Sequence, residues 1–271
     1  MFYTTPWPHH PIYSDNNGNG KGDTTDDTYI DCIEEFDKGL GEILDNLKAK
    51  GVYDDTLIIF TSDNGPGREG VAGNLRGRKN TTFEGGMKVP MLVSYPSGGV
   101  GAGTAVADTT FPITDYDGNV IRYGTTKKIQ TSAMLQDVFP TVLNYVMGDD
   151  YELPTDRIID GVSLKSVLSG NMPSDFRVHD VLYYMKRGKI QGLQMAVDTP
   201  AGTFDFKYYD NVHSENSAFI DQFYKNYLFN LDVDPAEGYN IAKKNPEIAE
   251  MMKAQLIAAR KDFSGNRRGK I

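Results

Sequence analysis

DDTLIIFTSDNGPGREGVAGNLRGRKNTTFEGGMKVP, residues 54–90, decides how the rest of the chain is read. TLIIFT (56–61) is a short unbroken apolar run rich in β-branched residues, the pattern of a strand buried on both faces of a parallel sheet. Ser62, Asp63, Asn64 and Gly65 follow, polar and turn-forming, where such a strand would end. In open α/β sheets ligands sit beyond the carboxyl ends of the strands. Asp63 and Asn64 present a carboxylate and an amide oxygen, the hard donors that Ca²⁺ or Mg²⁺ takes. Lys79 follows in a loop with glycine nearby and is suited to an anion. A lone SDNG is also the composition of a solvated turn after a core strand, and on its own that reading is the commoner one.

The longer pattern shifts the balance. TSDNG, then LRGRK with TTFEGG, then MKVP, in that order, resembles the second signature of the sulfatase family within the alkaline phosphatase superfamily. The resemblance implies that Asp63 and Asn64 ligate a divalent metal, usually Ca²⁺, and that Lys79 contacts the sulfate group. PHHP (8–11) resembles the family's Pro-His-x-Pro element, which makes His9 a second sulfate-binding and catalytic candidate. A His between prolines is otherwise most simply a surface loop residue.

Around this stretch the chain falls into order. SDNNGNGKGDTTDD (14–27) is polar and Gly-rich. Asp15, Asn17, Asn19, Gly20 and Asp26 match parts of a calcium-loop spacing, but amides replace carboxylates and no helix precedes it, so a flexible insertion is expected. Residues 28–50 carry Ile30, Ile33, Phe36, Leu40, Ile43, Leu44 and Leu47 at helical spacing, ended by Gly51, with Cys32 off the stripe and partly buried. VPMLVSYP (89–96) predicts a second core strand, and Asp117-Gly118 a hairpin within an insertion over 100–127. MLQDVFPTVLNYVMG (134–148) and IIDGVSLKSVLSG (158–170) resemble the family's Asp-x-x-Pro-Thr helix and Asp-Gly-x-Ser-Leu element, with Asp137 a structural brace.

Beyond NMPSDFRVHD (171–180), short alternating aromatic segments predict an antiparallel sheet. YLFNLDVDPAEGYNIAKKNPEI resembles the sulfatase C-terminal signature. Asn245 and Pro246 then start a last helix with Ile248, Met251, Met252 and Leu256 on its buried face. The expected fold is α/β, the C-terminal part of an alkaline-phosphatase-like sulfatase domain over 1–175. A small α+β subdomain with an antiparallel sheet and terminal helix follows over 176–271.

Composition narrows the function classes. At 271 residues the chain is long enough for a full core, and a net charge of −9 argues against a nucleic-acid backbone as partner. No run nears the ~18 apolar residues of a membrane span. Cys32 is the only cysteine, which excludes a disulfide framework. No signal peptide is visible, although the resemblance implies a periplasmic or secreted full-length protein.

Sulfate-ester hydrolysis needs a nucleophile, cations for the sulfuryl oxygens and a proton donor for the leaving alcohol. Sulfatases use a formylglycine made within Cys/Ser-x-Pro/Ala-x-Arg. Cys32, in CIEEF, fails that motif, and Ser94, in SYPSG, lacks the arginine. The resemblance therefore reaches only the C-terminal half of a sulfatase, a shortened chain or a reading frame that begins late, with the formylglycine expected upstream. The expected function is an arylsulfatase-like fragment carrying half of the metal and sulfate site, acting on aryl or carbohydrate sulfates and inactive alone. Self-association through an exposed sheet edge is expected with it. The rival readings are a phosphodiesterase or phosphonate hydrolase of the same superfamily, and a non-catalytic anion- or glycan-binding module.

Overall fold

A computed structural model of the chain describes residues 2–12, 25–101, 109–114, 120–126, 128–173, 175–214 and 222–265. Helix α1 spans Thr25–Ala49. Its end is fixed by Gly51 at φ 67°, which lets Gly51 N–H donate to Lys48 O (2.9 Å) and Val52 N–H to Leu47 O (3.1 Å). That pair of bonds is a Schellman motif, and only a residue tolerant of left-handed backbone completes it at low cost. Cys32 is fully buried, deeper than its place off the apolar stripe predicts. Ile30 and Ile33 are each 40% exposed, so the stripe is covered over only part of its length. Residues 13–24, with most of the calcium-like spacing, lie outside the described residues.

Strand β1 (Ile58–Thr61) pairs with β2 (Met91–Ser94) in antiparallel register, Ile58 opposite Ser94 and Thr61 opposite Met91. The parallel-sheet neighbourhood expected for TLIIFT is thus corrected. Among the described residues β2 is the strand paired with it, and β1 is half-buried along its length. An apolar run reports how much covering a strand wants, while the direction of its neighbour is set by residues far along the chain. Tyr3, Phe36 and Phe60 stack in series, centroids 6.5 and 5.8 Å apart, tying the first segment to α1 and β1.

Strands β3 (Thr109–Thr114) and β4 (Val120–Thr126) pair antiparallel, while Asp117-Gly118, where the sequence predicts the turn, lies outside the described residues. Short helix α2 (Glu84–Met87) lies between β1 and β2, and α3 (Val138–Met147) and α4 (Lys165–Leu168) follow β4. The last part is a four-stranded antiparallel sheet in the order β5 (Val181–Lys186), β6 (Lys189–Thr199), β7 (Gly202–Ser214), β8 (Gln222–Asn230).

Helix α5 (Pro246–Gly265) covers one face of that sheet. Asn245 O accepts the first helical bond, from Ala249 N (3.1 Å), and Pro246 takes the first turn, where its missing N–H costs nothing. The buried face is Ala249, Met252, Leu256 and Ala259, packed on Ile190, Leu193, Phe206, Tyr208 and Leu228. Met251 is 43% exposed and Ile248 only partly buried, so the expected face is rotated by part of a turn. Two small alanines let the helix sit close on the aromatic strand, and size alone hid them from a hydrophobicity count.

Candidate functional site

The opposite face of the C-terminal sheet receives the TTFEGG segment, and that contact builds the site. Alternation along β7 sends Phe206 and Tyr208 toward α5, and Lys207 and Tyr209 the other way. Tyr209 and Phe229 close on Phe83, with the Tyr209 ring edge-on to Phe83 at 5.3 Å between centroids. Tyr209 Oη–H donates to Thr82 O (2.5 Å), and Thr82 Oγ1–H to Gln191 Oε1 (2.9 Å). Residues 81–86 are all buried as a result.

At the centre of this contact lies a charge cluster. Lys207 Nζ is 2.6 Å from Glu84 Oε1 and 3.2 Å from Glu237 Oε1, with both Lys207 and Glu237 fully buried. Glu237 Oε2 accepts from Glu84 N–H (2.6 Å), and Arg76 Nη1 donates to Glu237 O (3.0 Å). Tyr184 Oη–H donates to Gln194 Oε1 (2.6 Å), and the Tyr184 ring lies 3.8 Å beneath the Lys207 ammonium. Burial pushes Glu237 above the ordinary carboxylate range, although the Lys207 charge and the Glu84 N–H pull the other way.

The segment held this way continues into the Lys79 loop and locks against SDNG. Gly65 N–H donates to Gly86 O (2.9 Å), Lys79 N–H to Pro66 O (2.8 Å) and Gly85 N–H to Arg76 O (2.7 Å). The two loops run so close that a Cβ on Gly65 would stand 2.0 Å from Gly85 O, against backbone that has nowhere to retreat. Gly65→Ala is therefore expected to cost about 1–3 kcal/mol of stability, as overpacking does. Chemical denaturation measures it; a variant as stable as the parent would show that the loops are not interlocked.

Ser62, Asp63 and Asn64 follow β1. Ser62 Oγ–H donates to Asn64 O (3.0 Å), and Asn64 Nδ2 to Gly65 O (2.9 Å). With its NH₂ group turned to that carbonyl, the Asn64 amide has Oδ1 as the atom suited to a cation. Asp63 is exposed beside it.

Asn64 and Lys79 line one open cleft of about 420 Å³, with Asn80, Met185, Lys186 and Arg187 among its other walls. Asp63 is not part of that lining, and neither is His9. His9 is exposed, with Nδ1 2.9 Å from His10 O, and the His10 imidazole pairs with Glu69 in the loop that follows SDNG. Among the described residues no three His, Cys, Asp or Glu side chains gather as a complete metal set.

Sequence reasoning passed over Lys207, Glu84, Glu237, Lys186 and Arg187. Glu84 and Glu237 lie inside the FEGG and DPAEG stretches already singled out. For Lys207 the signal was a single lysine between Phe206 and Tyr208 in an aromatic strand.

Comparison with known proteins agrees with this architecture. The family model described as Sulfatase matches residues 2–148. Mouse steryl-sulfatase is 32% identical over 176 residues, covering 61% of this chain and 24% of that protein. Bovine arylsulfatase A is 27% identical over 286 residues, covering 96% of this chain and 49% of that protein. The chain thus spans about half the length of arylsulfatase A, and less of the steryl-sulfatase. Among solved structures, Ps i-CgsB superposes with a TM-score of 0.65 at 19% identity, over 94% of this chain and 48% of that one. BT4656, solved with D-glucosamine-2-N,6-O-disulfate, superposes at 0.51 and 22% identity, over 89% and 41%. The match to the family model covers more than half of the 271 residues, and the solved neighbours share the fold. The chain belongs to the sulfatase family.

Proposed function

We propose that the Asn64–Lys79 cleft is part of the sulfate site of a metal-dependent sulfuric ester hydrolase acting on aryl or carbohydrate sulfates. The observation that carries this reading is the meeting of Asn64 and Lys79, 15 positions apart in sequence, on one cleft. Lys79 would set its ammonium against the sulfuryl oxygens, where charge develops as the ester bond breaks. Asp63 and Asn64 would give a carboxylate and an amide oxygen to Ca²⁺, a fit in donor type but only part of the roughly six to eight oxygens it takes. A bound cation withdraws charge from the sulfuryl group.

His9 would approach from the segment tied down through Glu69. While its Nδ1–H donates to His10 O, its Nε2 can donate to a sulfate oxygen only as the imidazolium. None of the 271 residues forms the formylglycine motif, so on this reading the nucleophile comes from outside them. The carbohydrate part of the substrate class rests on the fold neighbours, Ps i-CgsB solved with k-i-k-neocarrahexaose and BT4656 with a glucosamine disulfate.

The test is to compare a chromogenic aryl sulfate with the matching phosphate ester in the protein that carries these residues and a formylglycine. Lys79→Ala is expected to lower kcat on the sulfate by roughly 10²–10³, the usual loss for one preorganised donor. Faster turnover of the phosphate ester would favour the phosphodiesterase reading. No turnover of either ester would favour a non-catalytic anion-binding module.

A further inference from the structure

The far wall of the cleft is a hairpin tip made almost entirely of cations. Lys186, Arg187, Gly188 and Lys189 join β5 to β6, and Lys186 and Arg187 line the same cleft as Lys79 and Asn64. Lys186 Nζ donates to Asn80 O (2.6 Å), which docks the tip on the residue next to Lys79. In a chain of net charge −9, this cleft brings three cations to one opening.

Two local rules of hairpin design are broken at this tip. Arg187 and Gly188 have φ of 50° and 73°, the paired left-handed conformations of a two-residue type I′ turn. That turn strongly favours Asn-Gly or Asp-Gly, because a longer side chain is strained at its first position. Lys186 stands directly opposite Lys189 in the ladder, where like charges repel. The register also slips between Tyr184 and Met185, a bulge of the kind that re-aims a side chain at a site. Met185, just past the bulge, lines the cleft and is 42% exposed, as is Met87 at 43%. Breaks of local rules with no evident gain in stability are expected to gather at functional or strained sites.

We infer that the Lys186–Arg187 hairpin is an anion-recognising wall that selects substrates carrying a second negative group, an additional sulfate or a carboxylate, beside the sulfate held at Lys79. The inference rests on the sulfate-site reading above. The cleft volume suits a single sugar ring with its substituents. The two methionines give the ring an apolar face to rest on. Arg187, with its planar fork of donors, suits a sulfate or carboxylate oxygen pair.

Calorimetric titration of the full 271-residue chain with inorganic sulfate, glucosamine 6-O-sulfate and glucosamine 2-N,6-O-disulfate tests it. The disulfate is expected to bind about tenfold or more tightly than the monosulfate, with a preference that weakens as salt rises. Arg187→Asn, which gives the turn the residue it favours, is expected to raise Tm by about 2–4 °C while bringing the disulfate preference close to unity. Lys186→Gln reduces the preference as well. An unchanged preference in Arg187→Asn, a fall in its Tm, or no preference in the parent protein would overturn the inference. Lys79→Ala separates the two claims. If it abolishes inorganic sulfate binding while the parent shows no disulfate preference, the sulfate site stands and the hairpin role fails. If it leaves sulfate binding intact, the site reading fails first.

Discussion

Lys207→Met is expected to destabilise the protein by about 3–5 kcal/mol near neutral pH, the cost of leaving a buried ionic cluster without its partner. Lys207 and Glu237 are fully buried and Glu84 nearly so, so the two carboxylates would face each other without the ammonium 2.6 and 3.2 Å away. Methionine has nearly the volume of lysine, so the substitution removes the ammonium that lies over the Tyr184 and Tyr209 rings while leaving little cavity, which isolates the charge as the cause. Glu84→Gln in the same chain removes one of the two stranded charges and is expected to restore part of the loss.

The dependence on pH has a definite sign. Burial already raises the folded-state pKa of Glu237, so the stability it contributes is present below the unfolded carboxylate value and lost as pH climbs through the folded one. Removing Lys207 withdraws the main opposing influence and raises that pKa further. The deficit of Lys207→Met is therefore expected to be smaller at mildly acid pH than near neutrality, because Glu237 takes up a proton more readily as pH falls. Denaturant titrations at the two pH values measure it. A deficit that does not change with pH would mean the cluster is not ionised as drawn.

The cluster also explains how far the sequence could be read. The Lys79 loop and SDNG were legible because chemistry-bearing residues and their glycines are packed into 37 consecutive positions with a recognisable order. The end of α1 was legible because Gly51 acts locally, through bonds to Lys48 and Leu47. What escaped is non-local. Lys207 meets Glu84 across 123 positions, and Arg187 meets the cleft only because β5 and β6 turn there. The antiparallel partner of β1 and the buried face of α5 were missed for the same reason, since both depend on what the element docks against. A lysine in an aromatic strand can announce an anomaly, but only the fold names its partners.

Asp137→Ala is expected to cost about 3–5 kcal/mol, because it strips the acceptor from several buried donors at once. The Asp137 side chain is fully buried. Its Oδ2 accepts from Met134 N–H (2.7 Å) and its Oδ1 from Val162 N–H (2.8 Å), while His179 Nε2 lies 2.9 Å from both oxygens. Asp137 O and Thr141 Oγ1 extend the joint, with Thr141 accepting from Leu164 N–H (2.9 Å). The start of α3, the 160–164 turn and the approach to β5 are thus fastened at one carboxylate, as the brace reading of Asp137 expects. Gly161 makes the joint tight, since a Cβ there would stand 2.1 Å from Gln136 O. Asp137→Asn keeps one acceptor oxygen but turns an NH₂ group toward existing donors. It is expected to lose about half as much, because each unsatisfied buried donor costs roughly 1–3 kcal/mol. Thermal and denaturant unfolding of the two variants checks the ranking. A loss below about 1 kcal/mol for Asp137→Ala would mean that water replaces the carboxylate and that the joint is looser than its distances indicate.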